Sequence, residues 1–160
     1  MDYKHWLREA YVEATHSPDK STQNGALIIN ESSVLTRGCN RFPNGVEDKS
    51  ERYDRPLKYK WTEHAERNVI YRAANLGFST KDAIMVCPWA ACSDCGRAII
   101  NSGIRQLVTH KQAHDRSPPF WAEEIEIAFT MLAEAGIEVV MFDGKVDGPE
   151  ILHCGERWTP

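Results

Sequence analysis

The sequence predicts an α/β fold, a three-layer α-β-α sandwich with a central mixed sheet, on two observations. Two apolar segments, Gly25 to Asn30 and Ser33 to Gly38, form an early hairpin. After it, helical and extended segments alternate, the pattern of helices covering a mixed sheet. A length of 160 residues with 42% apolar content suits one domain with a single core, spanning residues 1–160 with 143–160 as a C-terminal extension.

The elements follow in order. Trp6, Leu7, Ala10, Tyr11 and Ala14 recur at helical spacing within Tyr3 to Thr15. The two hairpin strands join at a tight Asn30-Glu31 turn. Asn40 to Lys60 is polar and holds Pro43, Gly45 and Pro56, the composition of a surface loop over a site. Glu63 to Leu76 reads as a helix with Thr62 as N-cap and Gly77 as stop. Ala83 to Cys87 is a short strand halted by Pro88, Cys92 to Asn101 a helix closed by Gly103, and Gln106 to Thr109 another strand. Phe120 to Ala135 is a long amphipathic helix ending at Gly136, and Ile137 to Phe142 the last clear strand. The remaining tail, with Gly144, Gly148, Pro149 and Gly155, takes no assignment.

The formal net charge of -4 excludes the broad basic field by which nucleic-acid binders grip phosphates, so a polymer partner is disfavoured and a mononucleotide stays open. No apolar run of signal type opens the chain and nothing approaches a membrane span, so the cytoplasm and no membrane partner are expected. Of five cysteines, two form a Cys-x-x-Cys, which fits metal ligation in a reducing compartment better than a disulfide framework.

Two short pieces carry the chemistry. His64-Ala65-Glu66 and Cys92-Ser93-Asp94-Cys95 both stand at helix starts. One imidazole and two thiolates are three good ligands for Zn2+ and leave the fourth tetrahedral position open, as a catalytic zinc requires. Helix N-termini favour thiolates and developing negative charge. Glu66, two residues beyond His64, can approach the reacting water without ligating the ion and move its protons. The alternatives are a redox pair, or a structural zinc completed by Cys39, Cys87 or Cys154.

These pieces resemble the His-x-Glu and Pro-Cys-x-x-Cys signature of the cytidine/deoxycytidylate deaminase superfamily, in the His-x-Glu and the Cys-x-x-Cys but not in the Pro. The chain is most similar to the zinc-dependent deoxycytidylate (dCMP) deaminases. Ser21-Thr22-Gln23-Asn24-Gly25-Ala26 resembles their entry to the first strand. Gly38-Cys39-Asn40-Arg41-Phe42-Pro43-Asn44-Gly45 resembles their Gly-x-Asn-Gly-x-Pro-x-Gly loop, and His64-Ala65-Glu66-Arg67-Asn68 their zinc helix. The likeness runs on through Ala98 to Ile104 and spans roughly residues 3 to 142. It implies a cytidine deaminase-like fold and hydrolysis of dCMP to dUMP and ammonia. It also implies that Asn40 binds the sugar 3′-hydroxyl and that the Ala65 backbone reads the pyrimidine edge. A homo-oligomer, often a hexamer, and dCTP and dTTP as effectors near the glycine-rich loop belong to the same implication.

The chain departs from that pattern at three places. Ala91, preceded by Ala90, replaces the usual Pro. Arg41 replaces the second Gly of the loop, and Asn24 stands where Val is common. Losing Pro frees the turn before Cys92, and two alanines are expected to leave room beside the base for a 5-substituted cytosine. Arg41 is a candidate phosphate or effector contact; so are Lys111, His114 and Arg116, after the fourth strand. Trp89 is either a wall stacked on the base or core packing, Trp121 a helix residue facing the core, and Cys87 a buried small hydrophobe. Rival readings are a tRNA- or DNA-editing deaminase, a deaminase of another small molecule, and a non-catalytic zinc module.

Overall fold

The computed structural model describes residues 1–30 and 33–160. Of the turn expected at Asn30-Glu31, Glu31 falls outside the described residues and Asn30 closes the first strand. Helix α1 (Tyr3–Ala14) starts where the Asp2 carboxylate accepts the His5 N–H at 3.0 Å. Its Leu7, Ala10, Tyr11 and Ala14 form one buried stripe. Strands β1 (Gly25–Asn30) and β2 (Ser33–Cys39) pair antiparallel. Strand β3 (Ile84–Val86) pairs antiparallel with β1, and β4 (Gln106–His110) pairs parallel with β3. With β5 (Glu138–Phe142) parallel to β4, the order is β2-β1-β3-β4-β5, a mixed sheet.

Alternation along β1 divides the core. Leu27 and Ile29 join Leu7, Ala10 and Tyr11 under α1. Ala26 and Ile28 face Val69, Ala73, Ile99 and Leu132 on the other side. Those belong to the opposite layer, made by α3 (Ala65–Leu76), α4 (Ser93–Asn101) and α6 (Ala122–Glu134). Gly25 is obligatory where α1 crosses β1, because a Cβ there would lie 2.2 Å from the Ala10 carbonyl oxygen.

Several boundaries differ from expectation for local reasons. Helix α3 begins at Ala65 with extended His64 as its N-cap residue, not at Glu63 after Thr62. Cys92 likewise is the extended N-cap residue of α4. The helix expected from Phe120 opens instead as a 3-10 turn over Pro119–Trp121, directly after extended Pro118, and α6 follows. Single-turn helices α2 (Lys58–Trp61) and α5 (Lys111–Asp115), and a 3-10 turn at Ser50–Tyr53, interrupt stretches read as loops. One turn is too short to display a hydrophobic period.

The unassigned tail forms a hairpin of β6 (Ile151–His153) and β7 (Glu156–Trp158). Its two turn residues, Cys154 and Gly155, have φ of 55° and 86°, the paired positive values of a tight hairpin turn. Ile151 and Trp158 pack into the α1 side of the core. His110 ties that side together. Its Nε2 donates to the Gly144 carbonyl at 2.9 Å, so its Nδ1 accepts the Tyr11 hydroxyl proton at 2.6 Å. This arrangement needs a neutral ring, and burial lowers the His110 pKa accordingly.

His153 is buried between Trp89 and Trp158. Burial first, then the nearby Arg116 charge, brings its pKa down to about 4. In the unfolded chain the ring titrates at about 6.5. The unfolded state therefore binds the extra proton between these values, and stability present above pH 6.5 is lost as the pH falls toward 4. Urea titrations of the wild type and His153→Gln at pH 7 and pH 4.5 are expected to show the smaller acid loss in the variant.

Candidate active site

The starts of α3 and α4 meet at one point. His64 Nδ1 lies 3.5 Å from both Cys92 Sγ and Cys95 Sγ, and the three donor atoms fall within 4.8 Å of one another. Among the described residues, no fourth His, Cys, Asp or Glu joins them. Cys39 and Cys87 are buried elsewhere and Cys154 sits in the hairpin turn, so none completes a structural site. A hydrogen bond from Cys95, followed by the contact with His64, holds the Cys92 thiol down at about 3. Cys95, the donor of that bond and deeply buried, is pushed well up. Burial lowers the His64 pKa, but its bond with Cys92 and the Glu66 charge outweigh this and raise it.

Arg67 locks the two helix starts together. It pairs with Glu63, next to His64, and reaches Asp94 Oδ2, between the two cysteines, at 3.4 Å. Glu124 of α6 accepts hydrogen bonds from the Ser93 N–H and hydroxyl, satisfying the first turn of α4.

Glu66 is 3% exposed, and its Oε2 has no hydrogen-bond partner among the described residues. Burial, opposed by His64 and reinforced by Cys92, raises its pKa. An orphaned buried carboxylate oxygen beside a nitrogen and two sulfurs is the donor chemistry of a site built around a cation and a polar ligand.

A cavity opens in front of this group. Asn24, Asn40, Ala65, Trp89 and Ala90, each singled out from the sequence, line it together with His64, Glu66 and Cys92. Asn40 and Asn24 form a unit: the Asn24 N–H donates to Asn40 Oδ1 at 2.8 Å, and the Asn40 N–H to the Asn24 carbonyl at 3.0 Å. Asn24 Nδ2 also donates to the Cys87 sulfur at 3.3 Å, so Cys87 orients a cavity residue as well as packing the core. Trp89 is a wall of the cavity, its indole N–H bonded to Ser117 Oγ at 2.5 Å.

Other candidates fall elsewhere. Ala91 is buried in the core, so room beside the base rests on Ala90 alone. Arg41 pairs its backbone with Glu63 and leaves its side chain outside the cavity. Lys111 is tied to Asp115 at 2.6 Å, His114 packs edge-on against Phe129, and Arg116 lies 4.9 Å over Trp158. None of these three lines the cavity. Trp121 lines it and meets His64 edge-on at 5.9 Å, instead of lying wholly in the core.

Sequence reasoning missed the polar floor. Asp19 accepts the N–H groups of Ser21 and Thr22, Asn40 Nδ2, and Lys58 Nζ at 2.7 Å. Asp19, Lys58, Arg55 and Cys154 all line the cavity. Pro18-Asp19 followed by Ser21-Thr22 is an Asx-turn signal that points to Asp19. No comparable signal marks Arg55 or Cys154.

A family model described as the cytidine and deoxycytidylate deaminase zinc-binding region matches residues 1–111. A deaminase of Aliivibrio fischeri, described as uncharacterized, is 32% identical over 139 residues, 85% of this chain and 90% of that one. The deoxycytidylate deaminase of phage T4 is 40% identical over 129 residues, 76% of this chain and 63% of that one. The dCMP deaminase of cyanophage S-TIM5 superposes with a TM-score of 0.69 at 20% identity, over 88% of this chain and 96% of that one, which shows the shared fold. The chain belongs to the cytidine and deoxycytidylate deaminase zinc-binding family. Its cofactor is Zn2+, which the His64, Cys92 and Cys95 donors fit. No described helix is long and apolar enough to cross a membrane.

Because Arg67 orients both ligand-bearing turns, Arg67→Ala is expected to fold and to bind zinc about tenfold more weakly in chelator competition.

Proposed function

We propose that this protein hydrolyses the 4-amino group of a cytosine deoxynucleotide, converting dCMP to dUMP and ammonia. The observation that carries this reading is the buried, unpaired Glu66 carboxylate beside the His64, Cys92 and Cys95 donors at the wall of one cavity. Zinc, when bound, supplies the Lewis acidity that makes water a nucleophile at neutral pH. Glu66 accepts the proton of the attacking water and passes it to N3 of the pyrimidine. It then relays a second proton to the amino group, which leaves as ammonia while C4 becomes a carbonyl. Burial favours protonated Glu66, the form that gives up a proton, and the His64 charge opposes this. Asn40, held by Asn24, Thr22 and Asp19, binds the sugar hydroxyl, and the free N–H groups of the first α3 turn at Ala65 read the base edge.

The phage T4 relative and the cyanophage fold neighbour, the latter crystallised also with dCMP and dUMP, support the deoxynucleotide. So does the cation pattern. Lys58 is neutralised by Asp19, which leaves the exposed Arg55 at the rim to meet a phosphate. A chain with a formal charge of -4 suits a mononucleotide better than a polymer.

Ammonia release from a panel of dCMP, CMP, deoxycytidine and 5-methyl-dCMP tests the substrate, and dCMP is expected to be the best of the four or to share that place with 5-methyl-dCMP. Glu66→Ala should keep its zinc and lose about 10² to 10⁴ in kcat; near-normal turnover would remove Glu66 from its role. Arg55→Ala should raise KM for dCMP roughly tenfold or more while leaving deoxycytidine unaffected, since only the nucleotide offers a charged hydrogen-bond acceptor there.

A further inference from the structure

The hairpin of β6 and β7 lies beyond residues 1–111, the region shared with the family model. It nevertheless touches the catalytic cavity from two directions. On one side it is bonded to the segment that carries the substrate-facing amides. The Gln23 N–H donates to the Leu152 carbonyl at 2.8 Å, and Gln23 Oε1 accepts the Leu152 N–H at 2.9 Å. The Cys154 N–H donates to Thr22 Oγ1 at 3.2 Å and the Gly155 N–H to the Ser21 carbonyl at 2.7 Å. Thr22 in turn offers its carbonyl to Asn40 Nδ2 at 2.8 Å.

On the other side, the imidazole of His153 stacks on the indole of Trp89, with centroids 4.4 Å apart and planes inclined by 27°. Trp158 holds His153 edge-on at 5.5 Å, and is itself seated against Tyr11 at 5.9 Å. Trp89 is thus clamped between a ring fixed to the far layer of the fold and the hydroxyl of Ser117. An indole held this way can present one orientation to a base without losing rotamer freedom on binding.

We propose that His153 is a positioning residue for the nucleotide pocket: its stack on Trp89 sets the wall against which the substrate base packs. The C-terminal hairpin is then part of the substrate site and not an appendage. This inference rests on the deaminase reading above for its substrate, but its structural half does not. A ring that merely stapled the tail would change stability and leave substrate affinity alone. A ring that sets Trp89 changes KM more than kcat, because the reacting groups at His64, Glu66, Cys92 and Cys95 lie at the starts of α3 and α4 and not on the hairpin.

The test compares the wild type with His153→Ala, His153→Gln and His153→Phe, each as zinc-loaded full chain, by two readouts. Acrylamide quenching of Trp89, isolated by difference against Trp89→Phe, needs no nucleotide. Steady-state kinetics with dCMP give KM and kcat. His153→Ala is expected to raise Trp89 quenching and to raise KM about tenfold, the scale of one base–aromatic stack, with kcat and zinc content changed far less. His153→Phe, which restores a flat ring, should return both readouts toward wild type. If His153→Ala does not fold, His153→Gln, which keeps bulk without a ring, decides. Unchanged quenching or unchanged KM in a folded ring-less variant overturns the proposal. So does a loss of kcat and zinc as large as the change in KM. A wild type inert toward dCMP would sink the substrate reading alone, and the quenching comparison would still decide whether His153 places Trp89.

Discussion

Everything in this molecule is arranged around the abutment of two helix N-termini, those of α3 and α4, at one point beside the sheet. A helix start exposes N–H groups with no partner within the helix and a partial positive charge. Two such ends side by side would repel unless negative groups lay between them. Here the Cys92 sulfur, its pKa held down at about 3, supplies that negative charge, with Cys95, Glu66 and His64 grouped around it. The same requirement that makes the helix ends compatible with each other thus assembles a cation site. The Arg67 bridge to Glu63 and Asp94 keeps the two turns in register.

The sheet supplies the geometry. Because β1 runs antiparallel to both β2 and β3, those two strands run parallel, and α3 and α4, which follow them, start at the same end of the sheet. Gly25 lets α1 sit directly on β1 from the opposite face, which holds the strand from behind. Polar residues then enclose the cavity. Asp19 is the hub of that shell, gathering two backbone N–H groups, the Asn40 amide and the Lys58 ammonium. A carboxylate so fully partnered stays rigid despite its burial.

The two carboxylates near the cavity therefore do different things for a physical reason. Asp19 has its hydrogen bonds completed within the protein and organises the floor. Glu66 is equally buried but keeps Oε2 unpartnered among the described residues, which leaves it able to accept and return a proton. Environment, not residue type, separates the scaffold carboxylate from the one proposed to carry protons.

The clustered His64, Cys92 and Cys95 donors and their neighbour Glu66 were legible in the sequence because they are encoded at short spacing, His-x-Glu and Cys-x-x-Cys, each piece at a single helix start. The mixed sheet was legible because strands and helices print periods of about two and 3.6 residues. Arg55, Lys58 and Cys154 were not, since they reach the cavity from a one-turn helix, its approach and a hairpin turn whose local patterns carry no direction. Arg41, Lys111, His114 and Arg116 show the converse: a polar side chain in the right stretch of chain settles where its neighbours allow, with Lys111 on Asp115, His114 against Phe129, Arg116 over Trp158 and Arg41 outside the cavity. The sequence by itself determined which atoms can hold the metal and move the proton, for these depend on bonds made within a turn. Only the tertiary structure decided what walls the pocket, because that depends on packing between segments more than a hundred residues apart, such as Thr22 with Cys154.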